Sequence, residues 1–227
     1  MNILGIDTST PASAACVLRA DGEAFEVEPT PERVTGRPGH ARELMPAVAR
    51  CVEQSGLRWG ELDAIAVGVG PGPFTGLRIG VTTARALAQA HGAELRPVSS
   101  LAALAQGIAA EPDGRPVLPV IDARRGEVFS ALQSDGETVW EPFAAAPEAL
   151  ADRLRDEDVA PLAGGDGAVR FRDVLEAAGA EVPPDDSRAH VVRGVAVCRL
   201  AAAAAAVPIE AVLPDYLRLP DAKPRTQ

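Results

Sequence analysis

The segment Val69-Gly70-Pro71-Gly72-Pro73-Phe74-Thr75-Gly76-Leu77-Arg78-Ile79-Gly80 joins an apolar run, 64–69, to a helix-like run, 75–90. Its four glycines and two prolines predict a tight turn from a strand into a helix. Thr75 is the expected N-cap of that helix, and Gly92 the expected residue at its C-terminal end. Such a turn is typical of a plain α/β connection and also of an anion site at a helix N-terminus, so it does not choose between them.

On either side of this segment, the same order of strands and helices occurs in both halves of the chain. Each half opens with an apolar strand that ends in aspartate, at Asp7 and at Asp122. A turn and a hairpin follow, with hairpin signals at Asp21-Gly22 and Asp135-Gly136. Helices alternating with strands complete each half. This order predicts an α/β protein with mixed sheets flanked by helices, and it suggests a duplication.

The remaining elements follow from periodicity and from capping residues. A helix is predicted at about 40–54, with Leu44, Val48, Cys51, Val52 and Ser55 on one side. Further helices are predicted from a Ser99/Ser100 cap, at 147–156, at 167–178 and at 188–207. We expect a polar loop at 30–39 to be mobile and the last residues of the tail to be disordered.

Composition and charge narrow the class of protein. The 227 residues carry a formal net charge of −10, which disfavours binding to nucleic acid by this chain alone. The three cysteines have no metal-ligand spacing and lie in apolar neighbourhoods, so buried, reduced thiols are expected. No leader sequence or membrane span is recognised. We therefore expect a soluble cytoplasmic protein without a membrane partner.

The first candidate site is Gly5-Ile6-Asp7-Thr8-Ser9-Thr10, at the end of the first strand. A carboxylate followed by small hydroxyl residues suits Mg²⁺-phosphate binding, because the hydroxyls contact phosphate while the aspartate orients metal-bound water. This turn, opening a hairpin, resembles the first phosphate loop of the actin, sugar-kinase and Hsp70 superfamily. The resemblance implies two RNase H-like lobes, in agreement with the repeated order of elements.

A narrower resemblance extends over nearly the whole chain. It rests on Ile6 to Ser9, His40 to Pro46, Gly68 to Gly80, Val98 to Leu101, Leu118 to Val128 and Pro214 to Arg218. In these segments the chain resembles the TsaB (YeaZ) family of bacterial tRNA threonylcarbamoyladenosine biosynthesis. The glycine turn that continues into Thr75-Gly76-Leu77-Arg78 and the segment Asp122 to Glu127 are specific in combination.

The resemblance implies a role without catalysis. In the family, TsaB is a silent relative of TsaD, the subunit that transfers threonylcarbamoyl to N6 of adenosine 37 in ANN-decoding tRNAs. It pairs with TsaD through helices of its N-terminal lobe, and the ATPase TsaE joins the pair. The resemblance further implies a homodimer when the chain is alone and contact with tRNA only through the complex. ATP and metal are then expected on the partner subunits, and no cofactor on this chain.

The histidines agree with the absence of a metal. TsaD-type proteins hold metal with two histidines four residues apart on the first long helix. Here that helix begins with His40, but Leu44 takes the second position, and the other histidines lie in unrelated segments. A lone histidine at a helix start is expected to be a capping or surface residue, and a zinc peptidase lacks its ligands.

The nucleotide loops are degenerate. Ser9 stands where phosphate-binding members have glycine, and Ala123-Arg124-Arg125 stands where active members have several glycines. The bulky side chains would crowd a nucleotide cleft, although the arginines could attract an anion. Gly164 could remain from the adenosine-side turn. The degenerate nucleotide-loop residues are therefore Asp7, Thr8, Ser9, Asp122 and Gly164, and no catalytic residue is assigned.

Two helices of the first lobe are the candidate partner surface. Small residues recur every four positions on the helix after the glycine turn. Such a stripe fits a partner helix or, equally, the sheet of its own lobe, and the sequence leaves both open. The resemblance places the intersubunit surface on these helices, with candidate residues Leu44, Val48, Val52, Gly76, Gly80, Ala84, Arg85 and Ala88.

The expected domains are an N-terminal lobe at 1–108, a degenerate C-terminal lobe at 109–214 and a tail at 215–227. The leading interpretation is a non-catalytic scaffold that binds and stabilises TsaD and helps to recruit TsaE. The alternative is an active ATPase or phosphotransferase of the same fold, using Asp7 and Asp122 on Mg²⁺-ATP.

Overall fold

A computed structural model describes residues 1–29, 34–109 and 114–217. Within the first lobe it contains a five-stranded mixed sheet in the order β3-β2-β1-β4-β5. The strands are β1 (Ile3–Asp7), β2 (Ala14–Leu18), β3 (Ala24–Val27), β4 (Ala64–Gly70) and β5 (Glu94–Ser99). β2 is antiparallel to β1 and β3, whereas β1, β4 and β5 run parallel. The predictions at 30–33 and 218–227 lie outside the described residues.

The second lobe contains a four-stranded sheet in the order β8-β7-β6-β9. Its strands are β6 (Val117–Arg124), β7 (Glu127–Ser134), β8 (Glu137–Ala145) and β9 (Leu162–Gly164). β6, β7 and β8 form consecutive antiparallel hairpins, and β9 pairs with β6 in parallel. This sheet therefore repeats the hairpin-first order of the first one, as the duplicated sequence pattern predicts.

The helices and sheets stack in five layers. The outermost layer of the first lobe contains α1 (His40–Ser55) and α2 (Phe74–His91), which pack on one face of the first sheet. Its other face contacts α3 (Ser100–Ile108) and α7 (Gly194–Ala203). α3 also contacts the second sheet and packs against α7. The far side of the second sheet is covered by α4 (Pro147–Asp156), α5 (Asp166–Arg170) and α6 (Arg172–Glu176). The predicted α/β class of mixed sheets flanked by helices is confirmed.

The caps of α2 and α3 test the local predictions. Gly92 follows α2 in the left-handed conformation, with φ +67°, as predicted. Ser99 caps α3, because its side chain accepts a hydrogen bond from the Ala102 backbone N–H. The prediction of Thr75 as the cap of α2 is wrong: Pro73, in extended conformation, precedes the helix, and Thr75 already lies in its first turn.

Two helix predictions in the second half are corrected. The predicted helix at 167–178 is divided into α5 and α6, because Phe171 leaves the helical conformation with φ −114° and ψ 28°. The predicted helix at 188–207 is shorter, since α7 covers only Gly194–Ala203. It ends where the Arg96 guanidinium donates to the carbonyl oxygens of Ala201 and Ala204, and Ala204 turns to an extended conformation.

α7 crosses from the second half of the chain to the first sheet. It packs on β1 and β2, although its residues belong to the predicted C-terminal lobe. Just before the helix, the Arg193 guanidinium donates to the carboxylates of Glu26 and Glu28, and the Val195 backbone N–H also donates to Glu26. The division at 108/109 and 214/215 stays a prediction.

The three cysteines are buried and free, as the sequence predicts. Cys16, Cys51 and Cys198 are buried and unbridged. Burial raises the pKa of the Cys51 thiol to about 11, so this thiol stays protonated at neutral pH. As for the helices, none in the described parts of the chain combines the length and the apolar composition that crossing a membrane requires.

Candidate functional site

Asp7 is the last residue of β1, and both of its carboxylate oxygens accept hydrogen bonds from other residues of the chain. Oδ1 accepts hydrogen bonds from the Ser9 backbone N–H at 2.7 Å and from the Ser9 hydroxyl at 2.6 Å. Oδ2 accepts one from the Ser100 hydroxyl at 2.6 Å and lies over Gly68. Burial raises the pKa of Asp7, and the hydrogen bonds from Ser100 and Ser9 oppose that shift. Asp7 therefore connects its own loop to α3 and does not face solvent.

Asp122, the corresponding residue of the second lobe, is held by two arginines. Its Oδ2 accepts hydrogen bonds from Arg124 at 2.9 Å and Arg170 at 2.7 Å. Oδ1 accepts a hydrogen bond from the Arg124 backbone N–H. Only 2% of Asp122 is exposed, so the pairs compensate the charge of a buried carboxylate. Arg124 has φ +66°, an uncommon conformation for a residue with a side chain, which the hairpin turn imposes.

Asp166 contacts the backbone of Asp122, and only one of its two carboxylate oxygens accepts a hydrogen bond. Its Oδ1 accepts a hydrogen bond from the Asp122 backbone N–H at 3.1 Å, whereas its buried Oδ2 has no hydrogen-bond partner among the described residues. Burial, reinforced by the nearby charge of Asp122, raises the pKa of Asp166 to about 7. The carboxyl group is therefore a source of pH-dependent stability.

We expect Asp166→Asn to be more stable, relative to the wild type, at pH 8 than at pH 5. A raised folded-state pKa favours the protonated form. The stability that this carboxyl contributes is therefore complete below pH 3.8 and is lost as the pH rises towards about 7. Asparagine does not ionise, so the difference between variant and wild type should grow by about 2 to 3 kcal/mol between the two pH values.

Urea unfolding at both pH values measures this difference. The control is Asp186→Asn, which makes the same chemical change at an exposed position. An Asp166→Asn effect that does not change with pH would show that Asp166 titrates normally in the folded protein.

A cavity of about 480 Å³ lies where the first lobe meets the hairpin turn of the second. The Asp7 loop contributes Thr8 and Thr10, and the first turn of α2 contributes Thr75 and Gly76. The loop 35–38 before α1 lines another side, and Arg124 reaches it from the second lobe. Of the predicted nucleotide-loop residues, Thr8 lines this cavity.

The other four nucleotide-loop residues are not among those lining the cavity. Asp7 and Asp122 are engaged as described, and the Ser9 side chain is buried against Asp7. Gly164 ends β9 inside the second lobe, where a Cβ would lie 2.3 Å from the Ala189 carbonyl oxygen. Gly164 is thus required for close packing of the backbone, and no open turn surrounds it.

His40 corrects a sequence expectation. Gly39 holds the N-cap position of α1, and the His40 ring is buried, with 5% of the residue exposed. Its Nδ1 lies 2.8 Å from the Ser13 hydroxyl, and its Nε2 points towards Gly76 in the cavity wall. Burial lowers the pKa of His40, although the charges of Asp7 and Glu43 oppose the shift. The ring is therefore neutral at pH 7.

The predicted partner residues lie mostly inside the chain. Seven of the eight are buried: Leu44, Val48, Val52, Gly76, Gly80, Ala84 and Ala88. Arg85 is half-buried. The small-residue stripe serves intramolecular packing, because a Cβ on Gly76 or Gly80 would lie 2.2 or 2.3 Å from atoms of Thr8. The buried side chains are therefore unavailable to a partner, and the predicted surface has to be carried by their exposed neighbours.

The exposed side of α1 and α2 is here termed the outer helix face. Its exposed residues include Met45, Ala49, Phe74, Thr82 and Ala86. Phe74 stacks on Tyr216 with ring centroids 5.2 Å apart. The Arg78 guanidinium covers the Phe74 ring at 3.8 Å and donates to the Tyr216 hydroxyl. Exposed apolar side chains and an ordered aromatic cluster thus lie on the outside of the first lobe.

Arg37 and Arg170 are not predicted from the sequence, and the predicted surface or capping position of His40 is wrong. Arg170 follows Asp122 by 48 residues, and no local pattern connects the two. The available signal for Arg37 and His40 was the run Thr35-Gly36-Arg37-Pro38-Gly39-His40, a basic turn directly before a helix. Within the described ranges, no three histidine, cysteine or acidic side chains are grouped as metal ligands, and whether the chain holds a metal stays a prediction.

The two mixed sheets, each flanked by helices, define an α/β protein of two lobes with a cavity at their junction. A solved structure of YeaZ from Pseudomonas aeruginosa has the same fold, with a TM-score of 0.75. It is 27% identical in sequence, and the match covers 95% of this chain and 99% of that one.

Sequence comparisons specify the family. The family model described as "TsaD: tRNA N6-adenosine threonylcarbamoyltransferase" matches residues 31–160. The Bacillus subtilis tRNA threonylcarbamoyladenosine biosynthesis protein TsaB is 30% identical, over 98% of this chain and 96% of that protein. A Mycobacterium leprae protein is 40% identical, but the match spans 64% of this chain and only 39% of that protein. The chain belongs to the TsaB (YeaZ) family.

Proposed function

We propose that this chain acts in the biosynthesis of threonylcarbamoyladenosine in tRNA, as a non-catalytic subunit that binds and stabilises a TsaD-type partner. The family relationship supports the pathway. The geometry of the two aspartates supports the absence of catalysis, and it is the observation on which the proposal mainly rests.

Catalysis on Mg²⁺-ATP requires carboxylate oxygens that can hold metal-bound water. In this chain both oxygens of Asp7 already accept hydrogen bonds, and both oxygens of Asp122 are occupied by Arg124 and Arg170. At Asp7, a metal ion would have to displace the buried Ser9 and Ser100 hydroxyl groups, which would lose their acceptor. At Asp122, it would have to replace two arginine ion pairs. This arrangement disfavours the alternative of an active ATPase or phosphotransferase.

The outer helix face is the proposed partner surface. It lies on the outermost layer of the first lobe and exposes Met45 and Phe74 by 44% and 39%. Apolar side chains that protrude from two adjacent helices can pack between the helices of a second protein. We propose that a TsaD-type subunit occupies this face, that a second copy of the chain occupies it in the absence of that subunit, and that a TsaE-type ATPase joins the pair.

The net charge of −10 supports an indirect relation to tRNA. Phosphate backbones are repelled by an acidic surface, so we propose that tRNA is bound by the assembled complex through its other subunits. ATP and metal belong on those subunits in this proposal. The place of action is the cytoplasm, where the tRNA substrate of such a complex is found.

Light scattering after size-exclusion chromatography tests the proposal. We expect a homodimer of the chain alone, and a one-to-one complex when the TsaD-type protein of the same organism is added. A chain that ignores that partner would contradict the proposed role. Binding and hydrolysis of ATP by the chain alone, both lost in Asp7→Asn, would establish the alternative.

We expect Ala86→Glu to weaken assembly with the partner at least tenfold while the chain stays folded. Ala86 is exposed on α2, so the substitution places a charge in the proposed contact without disturbing the core. Ala149→Glu is the matched control, because Ala149 is an exposed alanine of α4 in the other lobe. Equal affinities of both variants, measured by titration calorimetry, would remove the outer helix face from the proposal.

A further inference from the structure

We propose that the outer helix face selects its partner by charge, favouring a subunit with an acidic contact surface over a second copy of this chain. The inference rests on the proposed assembly role and adds the chemistry that directs it. Four arginines on α1 and α2 carry it, namely Arg42, Arg50, Arg78 and Arg85.

These two helices are basic in an acidic protein. Besides the four arginines they carry two glutamates, Glu43 and Glu53, so their formal charge is +2 with neutral histidines. The whole chain has a formal net charge of −10. Three of the arginines are exposed, and Arg85 is half-buried. A positive surface on a negative protein attracts an acidic surface and repels its own copy.

The arginines of this face lack the acidic partners that most other arginines of the described chain have. Arg153, for example, pairs with Glu157 at 2.9 Å. Arg78 instead contacts the Phe74 ring and the Tyr216 hydroxyl, which are both uncharged. The other three arginines of the face form no ion pair within residues 1–29, 34–109 and 114–217. Their charges are therefore available to the carboxylates of a partner.

The neighbouring carboxylate of Glu28 does not neutralise the face. Glu28 lines the same groove as Arg42 and Arg50, where the end of β3 meets α1. Its two oxygens, however, are paired with Arg188 at 2.9 Å and with Arg193 at 2.9 Å. The acidic group next to the two arginines of α1 is thus already used to hold the second half of the chain on the first lobe.

The charges lie beside the apolar side chains of the same face. Arg42 and Met45 are three residues apart on α1, and Arg78, Thr82 and Ala86 follow each other at intervals of four on α2. Apolar contacts surrounded by polar groups are the usual arrangement of a protein interface. In this arrangement the apolar side chains supply contact area, and the arginines determine which surface is accepted.

Symmetry makes the charge unfavourable for a homodimer. A two-fold interface places the same face of both copies opposite each other, so the arginines of one copy meet those of the other. Like charges across an interface oppose association, whereas carboxylates on a different subunit would form ion pairs with the same groups. Apolar contact therefore holds the homodimer against repulsion, and charge adds to apolar contact in the complex of two different subunits.

Salt distinguishes the two assemblies, because raising sodium chloride from about 50 to about 400 mM shortens the range of electrostatic interactions about threefold. We expect the homodimer to become about threefold tighter and the complex with the TsaD-type protein of the same organism to become about fivefold weaker. Analytical ultracentrifugation measures the first equilibrium, and titration calorimetry measures the second. Changes of the same sign in both, or no change in either, would overturn the selection by charge and leave the assembly role standing. If no complex forms at either concentration, the proposed function fails and this inference fails with it.

A double variant assigns the effect to the arginines of α1. Arg42→Gln combined with Arg50→Gln removes two exposed charges and keeps side chains that favour a helix, so the chain should stay folded. At low salt we expect the complex with the TsaD-type protein to be about tenfold weaker than with the wild type, and the homodimer to be tighter. Arg199→Gln is the matched control, because Arg199 is an exposed arginine of α7 that forms no ion pair in the described chain. Equal behaviour of the double variant and Arg199→Gln in both assemblies would overturn the proposal.

Discussion

Gly76→Ala is expected to lower the free energy of unfolding by about 3 kcal/mol. A Cβ at this position would lie 2.2 Å from the backbone carbonyl oxygen of Thr8, and a backbone atom cannot rotate away. The Thr8 hydroxyl also donates to the Gly76 carbonyl oxygen at 2.7 Å, so α2 and the Asp7 loop are joined at this contact. Either the helix or the loop must move to accept the methyl group.

Gly107→Ala is the matched control for this effect. Gly107 lies in α3, and a Cβ there would meet the Val191 carbonyl oxygen at 3.6 Å, an ordinary contact. The substitution should stabilise the protein by about 0.5 to 1 kcal/mol, because alanine favours the helix and restricts the unfolded chain. Urea unfolding of both variants measures the contrast. If Gly76→Ala is as stable as Gly107→Ala, the close approach of α2 to Thr8 is not present in solution.

Arg193→Met is expected to cost about 3 kcal/mol of folding stability, because it leaves the Glu26 carboxylate buried without its cation. The Glu26 side chain is only 7% exposed, and Arg193 donates to it through two nitrogen atoms. Arg193 also pairs with Glu28, so one guanidinium connects the start of α7 to the edge strand β3 and the segment beyond it.

Arg188→Met provides the comparison for an exposed pair. Arg188 also forms an ion pair with Glu28, but its side chain is 70% exposed. Solvent-exposed pairs contribute up to about 1 kcal/mol, so this variant should unfold close to the wild-type denaturant concentration. Similar midpoints for Arg193→Met and Arg188→Met would mean that the Arg193–Glu26 pair does not hold α7 on the first sheet.

Local patterns were sufficient for most elements of the first lobe. The alternation and turn residues around Asp21-Gly22 specify a hairpin, and Gly92 specifies the end of α2, because these features depend on neighbouring residues. Predictions failed where distant residues act. α7 ends where Arg96, more than one hundred residues earlier, donates to its last carbonyl oxygens. The alanine run itself contains no residue that predicts where the helix ends.

The sequence by itself determined the class of fold, the duplicated lobes and the family, because strand order, turns and motifs are written in consecutive residues. It also indicated a possible anion site at the glycine turn. Only the tertiary structure decided which way each side chain faces. It buried the stripe from Gly76 to Ala88 against the protein's own interior, surrounded Asp7 with donors and brought Arg124 to the cavity near His40. These outcomes depend on contacts between residues far apart in the chain, and periodicity alone cannot distinguish a partner from the protein's own core.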